Sequence, residues 1–406
     1  MEQPPPDLPD QEADQYLGLD FSTQQIKAVV VDRELEVVAE AQVHYDSMLP
    51  EYRTSGGVHK GAGGRVTAPT IMWVKALDML MDKLRVAGVE FWRLAGLSGA
   101  GQQHGSVYWR RGAATLLAAL QPDRFLHDQL SSAFSVQDSP VWMDSSTGPQ
   151  CRELERAAGS AAELSSITGS RGYERFTGSQ ILKLRQERPE SYESTERISL
   201  VSSFAASLFC GTIVGIDWAD AGGMNLLDIR TKDWDGRLLE AAGPGLAARL
   251  GAPVSPCSVV GTASSYMQER YGFRSDCRVS AFTGDNPSSL AGLGLRHADI
   301  GLSLGTSDTV FVWLAGQPRP QLTGHVWPNP VCETDYMALL CYKNGSLTRE
   351  RMRDKCANGS WEIFNELINS TPRGNFGNIG EFLPSTKYWK YVYYILDTRL
   401  CVGRVY

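Results

Sequence analysis

The chain lacks any apolar run that approaches the ~18 residues needed for a membrane helix, so we expect no membrane partner. Its beginning, MEQPPPDLPD, lacks the basic and apolar stretches of a secretory signal peptide. This proline-rich and acidic start predicts a disordered leader over residues 1–13. We therefore expect a cytoplasmic protein.

The chain also lacks paired cysteines and an excess of positive charge. Its eight cysteines are scattered, with no CxxC spacing, which indicates reduced thiols and neither a zinc site nor a disulfide framework. The net charge of −7 argues against a nucleic-acid partner, because such a partner requires a basic surface.

Two common nucleotide motifs are missing. No GxxxxGK[ST] sequence is present, which excludes a Walker-type phosphate loop, and no GxGxxG follows the first strand, which disfavours a dinucleotide-binding domain. Any phosphate chemistry must therefore depend on another device.

The segment GLDFSTQQIK offers such a device, because it predicts a strand, a tight tip and a return strand. Small hydroxyl residues at the tip, Ser22 and Thr23, leave backbone N–H groups open to an anion. Asp20 would repel phosphate directly, so its carboxylate fits Mg²⁺ or the waters of that ion. The alternative is a plain hairpin whose polar residues satisfy the turn.

A second hairpin with a similar tip occurs some 280 residues later, in SLGTSDTVFVW. Its Gly305, Thr306 and Ser307 could hold a second phosphate group. Two similar units at this separation predict a duplicated α/β fold, with two lobes that face each other.

The segment AFTGDNPSSLAG places Asp285 and Asn286 directly after a predicted strand. A kinase that acts on a hydroxyl needs a carboxylate to accept the hydroxyl proton, and Asp285 can serve as that base. The alternative is a helix N-cap ahead of Pro287, and one residue could do both.

The segment LSGAGQQHGSVYW places Gln102, Gln103 and His104 together on a glycine-rich loop. Such a cluster offers donors and acceptors for a polyhydroxylated ligand. Arg175 is a further candidate donor to that ligand. The alternatives are a structural histidine and a surface arginine.

Together, LGLDFSTQQIK, SGAGQQHGSV, FTGDNPSS and SLGTSDTV resemble the FGGY carbohydrate kinases, a family of the actin-like sugar-kinase superfamily. The resemblance implies an α/β fold with two actin-like (ribonuclease H-like) lobes and a central cleft. It implies an N-terminal sugar-binding lobe over residues 14–278 and a partial nucleotide lobe over 279–380. A divergent aromatic tail over 381–406 replaces the expected adenosine loop, so the resemblance predicts an incomplete second lobe.

The activity implied by the resemblance is ATP-dependent phosphorylation of D-xylulose to D-xylulose 5-phosphate, with ATP and Mg²⁺ as cofactors. Asp285 is the implied base. The implied substrate-binding residues are Gln103, His104, Arg175, Asp285 and Asn286. The implied ATP-binding residues are Asp20, also the metal ligand, with Ser22, Thr23, Lys27, Gly305, Thr306, Ser307 and, beside the adenine, Trp361.

Two alternatives to this activity remain at the level of the sequence. One is a product that binds sugar without turning over ATP, and the other is a kinase of a different polyol such as glycerol. The family pattern also departs at Ser146, which stands where relatives often carry arginine. The sequence predicts no oligomeric state.

Overall fold

The computed structural model describes residues 14–304, 308–316, 318–342 and 345–372. The strands are β1 Gln15–Phe21, β2 Gln25–Val31, β3 Val37–His44, β4 His59–Lys60, β5 Val66–Pro69, β6 Leu94–Gly101, β7 Ser106–Arg110, β8 Asp138–Pro140, β9 Thr195–Leu200, β10 Leu227–Asp228, β11 Asp233–Trp234, β12 Val259–Thr262, β13 Arg278–Ser280, β14 Thr283–Gly284, β15 Ile300–Leu304, β16 Asp308–Leu314, β17 His325–Pro328 and β18 Tyr336–Tyr342.

The α-helices are α1 Tyr45–Met48, α2 Thr70–Val86, α3 Ala113–Ala118, α4 Leu126–Gln129, α5 Gly148–Ala158, α6 Ala161–Thr168, α7 Thr177–Glu187, α8 Pro189–Glu193, α9 Val201–Cys210, α10 Trp218–Ala221, α11 Gly236–Ala242, α12 Leu246–Leu250, α13 Ser265–Tyr271, α14 Asp285–Gly292, α15 Gly345–Cys356 and α16 Trp361–Ser370. Short 3₁₀ turns lie at Pro50–Tyr52, Ala62–Gly64, Phe91–Arg93 and Gly222–Met224. Among the helices of the described ranges, none combines the length and the apolar character needed to cross a membrane.

The first sheet begins with the predicted hairpin. Strands β1, β2 and β3 form an antiparallel meander, and β6 then pairs parallel to β1. Strands β13 and β14 pair parallel to β6, and β12 closes the edge next to β13. Leu17, Leu19 and Phe21 alternate with less buried residues along β1, which is the period-two pattern of a sheet with one packed face.

Helix α2 covers the packed face of this sheet. The sequence predicts a helix over residues 68–86, and the structure begins it two residues later because Pro69 is the N-cap. The helix buries one long face that includes Trp73, Leu77 and Leu80, and these side chains share a core with α9 and with the apolar residues of β1 and β2. This core contains more buried residues than any other hydrophobic core in the described part of the chain.

The second sheet repeats the hairpin device, as the sequence predicts. Strands β15, β16, β18 and β17 lie in that order and all pair antiparallel. Leu304 pairs with Asp308 at the tip end, and the predicted phosphate-binding residues Gly305, Thr306 and Ser307 lie outside the described residues. The backbone N–H of Val326 on β17 donates to the carbonyl of Gly169 at the end of α6, at 2.9 Å, so the two halves are in contact.

The predicted domain boundary falls within the first sheet of the structure. The boundary expected at residue 278 coincides with the first residue of β13, a strand of the first sheet. Residues 1–13 and 373–406, which include the predicted leader and aromatic tail, lie outside the described residues. The domain limits stay predictions.

Candidate active site

Three parallel strands of the first sheet end at the same edge, and each delivers a predicted site residue there. Asp20 on β1 lies opposite Ala100 on β6, and Gly284 at the end of β14 lies opposite Gly101. Gln103 and His104 directly follow β6, and Asp285 directly follows β14. The carboxyl ends of parallel strands are where α/β proteins bind ligands, which explains why distant segments meet here.

The first hairpin tip is held by a small polar network. Ser22 Oγ donates to Asp20 Oδ2 at 2.5 Å, and Lys27 Nζ lies 3.7 Å from the same oxygen. Trp142 Nε1 donates to Thr23 Oγ1 at 2.8 Å. Asp20 Oδ1 is buried and lacks a hydrogen-bond partner among the described residues. This oxygen is therefore free to meet a cation.

Asp285 is the first residue of α14, and Gly284 rather than Asp285 is the N-cap. Its Oδ1 accepts hydrogen bonds from the backbone N–H of Asn286 at 2.9 Å and of Gln103 at 3.3 Å. The Asn286 amide donates to Gln103 Oε1 at 2.8 Å. Asp285, Asn286 and Gln103 thus form one unit at the mouth of the site.

Burial raises the pKa of Asp285 to about 6, and the negative charge of nearby Asp20 adds to the rise. A carboxylate whose pKa approaches neutral pH accepts a proton more readily than an ordinary one, while it stays charged at pH 7. The geometry therefore suits Asp285 to act as a base.

His104 occupies a backbone conformation that is costly for a residue with a side chain. Its φ is 68°, in the left-handed region, and such residues persist where the surrounding structure holds them, often at functional sites. Its Nδ1 lies 3.1 Å from the carbonyl of Gly223, which can only accept, so Nδ1 carries a proton. Burial lowers the pKa of His104 to about 3, so the ring is neutral and Nε2 is an acceptor.

The Arg175 guanidinium packs against an aromatic ring and has no carboxylate partner among the described residues. The group lies over the Trp142 ring, with Cζ 5.0 Å from the ring centroid, and the buried Nε has no hydrogen-bond partner within the described residues. A guanidinium, which stays charged, is a strong donor to a ligand oxygen.

A cavity of about 230 Å³ joins these groups, which is roughly the volume of seven or eight water molecules. Its walls include the predicted Gln103, His104, Arg175, Asp285 and Asn286, together with Trp142, Tyr173, Thr309, His325, Leu339 and Cys341. A small polyol fits such a space.

His325 is one of the cavity residues that the sequence motifs did not predict. It begins β17, its Nδ1 lies 3.0 Å from Ser170 Oγ, and its ring stacks on Trp327 with centroids 5.4 Å apart. Burial, together with the charge of Arg175, lowers its pKa to about 4, so it too is neutral. No motif surrounds His325 in the sequence, and only the folding of the second sheet brings it beside His104.

A larger cleft of about 1040 Å³ is lined by Asp20. Lys27, Ser288 and Gly292 line it, so it extends from the first hairpin along α14. This cleft has the size that a nucleotide requires.

Trp361 does not join either cavity. It is the first residue of α16, its side chain is 44% exposed, and it contacts Arg353 and Phe364. Its place beside an adenine stays a prediction.

Ser146, the departure from the family pattern, is compensated locally. Lys183 Nζ donates to Ser146 Oγ at 2.5 Å, and Ser146 Oγ donates to Asp144 Oδ1 at 2.5 Å. The Lys183 cation thus reaches Asp144 through a hydroxyl, where an arginine could reach it directly.

A resident metal cluster is not part of the described fold. Among residues 14–304, 308–316, 318–342 and 345–372, no group of three or more His, Cys, Asp or Glu side chains could hold a metal ion. Mg²⁺ ordinarily needs only one or two protein carboxylates when substrate phosphates complete its shell. The unpartnered Asp20 Oδ1 fits that requirement.

Comparison with known proteins agrees with this geometry. Residues 131–292 match the N-terminal domain of the FGGY family of carbohydrate kinases. A xylulose kinase of Rattus norvegicus is 56% identical over 90% of this chain and 68% of its own length, and xylulose kinase 2 of Arabidopsis thaliana is 50% identical over 90% and 66%. The chain thus spans about two thirds of the length of these relatives.

The fold is also similar to solved structures. A ligand-bound xylulose kinase from Lactobacillus acidophilus superposes with a TM-score of 0.71 at 18% identity, over 90% of this chain and 68% of that one. The predicted α/β fold is confirmed by this likeness.

Proposed function

The chain belongs to the FGGY family of carbohydrate kinases, and from this premise we propose that it transfers the γ-phosphoryl group of ATP to a hydroxyl of D-xylulose. The products are D-xylulose 5-phosphate and ADP. The observation that carries the proposal is the cavity between Asp285 and the Arg175 guanidinium, which lies beside the hairpin tip at Asp20. The names of the curated relatives indicate the ketose.

Several polar groups of the cavity hold the sugar. Arg175 donates to a carbonyl or hydroxyl oxygen, while the neutral His104 offers Nε2 as an acceptor of a hydroxyl proton. The neutral ring of His325 offers a further nitrogen to the sugar. Asn286 lies beside Asp285, where it fixes a neighbouring hydroxyl. This alternation of donors and acceptors fits a chain of hydroxyl groups.

Asp285 accepts the proton of the attacking hydroxyl as the new oxygen–phosphorus bond forms and the bond to the ADP oxygen breaks. Because its carboxylate is held by two backbone N–H groups, it is oriented before the substrate arrives. Positioning of this kind supplies much of the catalysis in phosphoryl transfer.

Asp20 would hold Mg²⁺ or its waters through its free Oδ1, and the ion would supply charge neutralisation for the phosphates. Ser22 and Lys27 contact the same carboxylate, and Thr23 follows Ser22 at the hairpin tip. The predicted roles of Gly305, Thr306 and Ser307 belong to residues outside the described ranges and stay predictions, as do a cytoplasmic location and the oligomeric state.

The test is ADP formation by the purified chain with ATP, Mg²⁺ and D-xylulose, with glycerol as a second acceptor and a no-sugar control. We expect turnover that depends on D-xylulose and rises with pH through about 6, because Asp285 must be ionised to act as the base. Asp285→Asn should lower kcat by about 10²- to 10⁴-fold. Asp128→Asn, an exposed carboxylate away from the cavity, is the matched control.

Sugar binding without ADP formation would favour the non-catalytic alternative, and faster turnover of glycerol would overturn the choice of substrate. Full activity in Asp285→Asn would remove Asp285 from the mechanism.

A further inference from the structure

We propose that Asp220 is a positioning residue of the phosphorylation site, which acts through Gln103 to orient Asp285 and Asn286. This inference rests on the function proposed above and deepens it, because it names a residue that never touches the substrate. Asp220 lies on α10, and no sequence motif discussed above contains it.

Gln103 is the link between Asp220 and the reacting groups. Its Nε2 donates to Asp220 Oδ1 at 3.4 Å, and its Oε1 accepts from the Asn286 amide at 2.8 Å. Its backbone N–H donates to Asp285 Oδ1 at 3.3 Å. Because Asp220 accepts from one end of the amide, it determines that the oxygen end faces Asn286.

This arrangement gives Gln103 a different role from the predicted one. The side chain lines the cavity, but both ends of its amide are bonded to protein groups and it is only 2% exposed. Gln103 therefore acts as a support for Asp285 and Asn286 rather than as a free hydrogen-bonding partner for the sugar.

Asp220 is itself held rigidly. It is 1% exposed, and its Oδ2 accepts from Ser202 Oγ at 2.6 Å. A side chain at Gly284, the residue before Asp285, would overlap both Gln103 and Asp220 Oδ1. Gln103 and Asp220 thus pack directly against the backbone of the residue that precedes Asp285.

The neighbouring Asp217 forms a hydrogen bond with β14, the strand that precedes Asp285. Its Oδ1 accepts from Thr283 Oγ1 at 2.9 Å, two residues before Asp285. Burial raises the pKa of Asp220 well above its ordinary range, and the charges of Asp217 and Asp285 add to the rise.

The experiment compares four variants by kcat and KM. Asp220→Asn keeps an acceptor for Gln103 and a polar contact for Ser202, so we expect kcat within about threefold of the wild type. Asp220→Ala and Gln103→Met both remove the link, and each should lower kcat on the order of ten- to a hundredfold, with KM for ATP unchanged. The double variant should lose no more than the single ones, because the two residues act in series.

The matched control is Asp78→Ala. Asp78 is also a 1% exposed carboxylate with several hydrogen bonds, but it accepts from Leu126 and His127 at the start of α4. We expect this control to lower the melting temperature and leave kcat unchanged. Additive losses in the double variant would overturn the proposal. Wild-type kcat in Gln103→Met would also overturn it, and this result remains available if Asp220→Ala fails to fold.

A second readout does not depend on turnover and separates this inference from the proposed function. The side-chain amide protons of Asn286, identified by their loss in Asn286→Asp, can be followed by NMR in the ¹⁵N-labelled protein. We expect their exchange with water to accelerate severalfold in Gln103→Met and Asp220→Ala but not in Asp220→Asn. Unchanged exchange would reject the role of Asp220 even if the wild type proves inactive.

Discussion

The guanidinium of Arg175 lines a cavity together with Asp285 and with two neutral histidines, His104 and His325. Burial lowers the pKa of both His104 and His325, and the positive charge of Arg175 lowers them further, so the arginine helps to keep both rings neutral. One residue thus acts as a donor and also favours the neutral state of two histidines.

Replacement of Arg175 by Met should therefore raise KM for D-xylulose by about ten- to a hundredfold, the loss expected for a hydrogen bond to a charged group. KM for ATP should change little. Arg171→Met is the matched control, because Arg171 lies four residues earlier, is exposed and pairs with Glu155. Steady-state kinetics with each substrate varied is the measurement, and an equal rise in both KM values would contradict the assignment.

Asp217 has a consequence for stability. Burial raises its pKa to about 7 from an ordinary 3.8, so the folded chain binds this proton more tightly than the unfolded chain. The group therefore stabilises the fold below pH 3.8, and this contribution is lost as the pH rises through about 7. His104 and His325, whose pKa values are lowered, act in the opposite direction, because they favour the fold at higher pH.

Between about pH 5 and pH 8 we expect the unfolding free energy of the wild type to fall as Asp217 ionises. In Asp217→Asn this fall should be smaller by about 1 kcal/mol or more. The asparagine keeps the acceptor that caps α10 and meets Thr283. Urea unfolding of wild type and variant across this range is the measurement. Parallel pH profiles would show that Asp217 does not titrate there.

At the scale of elements, the first hairpin is supported by a loop distant from its own strands. Gly56 and Gly57 both have positive φ, and their N–H groups donate to the Asp46 carboxylate at 2.6 and 3.0 Å. A side chain at Gly57 would overlap the carbonyl of Thr23 at the hairpin tip, whereas one at Gly56 would meet open space. The position of the tip therefore depends on one glycine.

Gly57→Ala should displace the tip and raise KM for ATP severalfold. It should also lower the free energy of unfolding by more than the penalty of a left-handed backbone alone. Gly56→Ala should cost only about 1–2 kcal/mol, the ordinary penalty for a left-handed residue, and leave KM unchanged. Denaturant unfolding measures the stability of the two variants, and kinetics with ATP varied measure KM. Equal behaviour of the two would show that the loop does not support the tip.

At the scale of the whole molecule, the sugar cavity takes one wall from each half of the chain. Its second wall depends on β17, which meets the end of α6 through the hydrogen bond from Val326 to Gly169. Gly169 has a φ of 78°, and a side chain there would overlap the carbonyl of Val326. The contact between the halves is thus next to His325.

Gly169→Ala should separate β17 from α6 and weaken D-xylulose binding by tenfold or more, because His325 moves with its strand. Gly272→Ala is the matched control: it also follows a helix with positive φ, but a side chain there meets nothing. Calorimetric titration with D-xylulose measures both, and normal binding in Gly169→Ala would show that the second wall is not needed.

Much of the site was accessible from the sequence. The hairpin at Asp20, the loop at His104 and the helix start at Asp285 are local patterns, each following a strand, and the parallel pairing of those strands brings them to one edge. Family membership followed from the same segments and is confirmed by the relatives reported above.

What only the tertiary structure decided is which groups those residues meet. His325 and Asp220 lie in segments without any motif, and they reach the site because β17 and α10 pack against it. The role of Gln103 likewise depends on partners that are 117 and 183 residues away. Local patterns fix where a strand ends, whereas burial, pKa and hydrogen-bond direction depend on contacts between segments far apart in the chain.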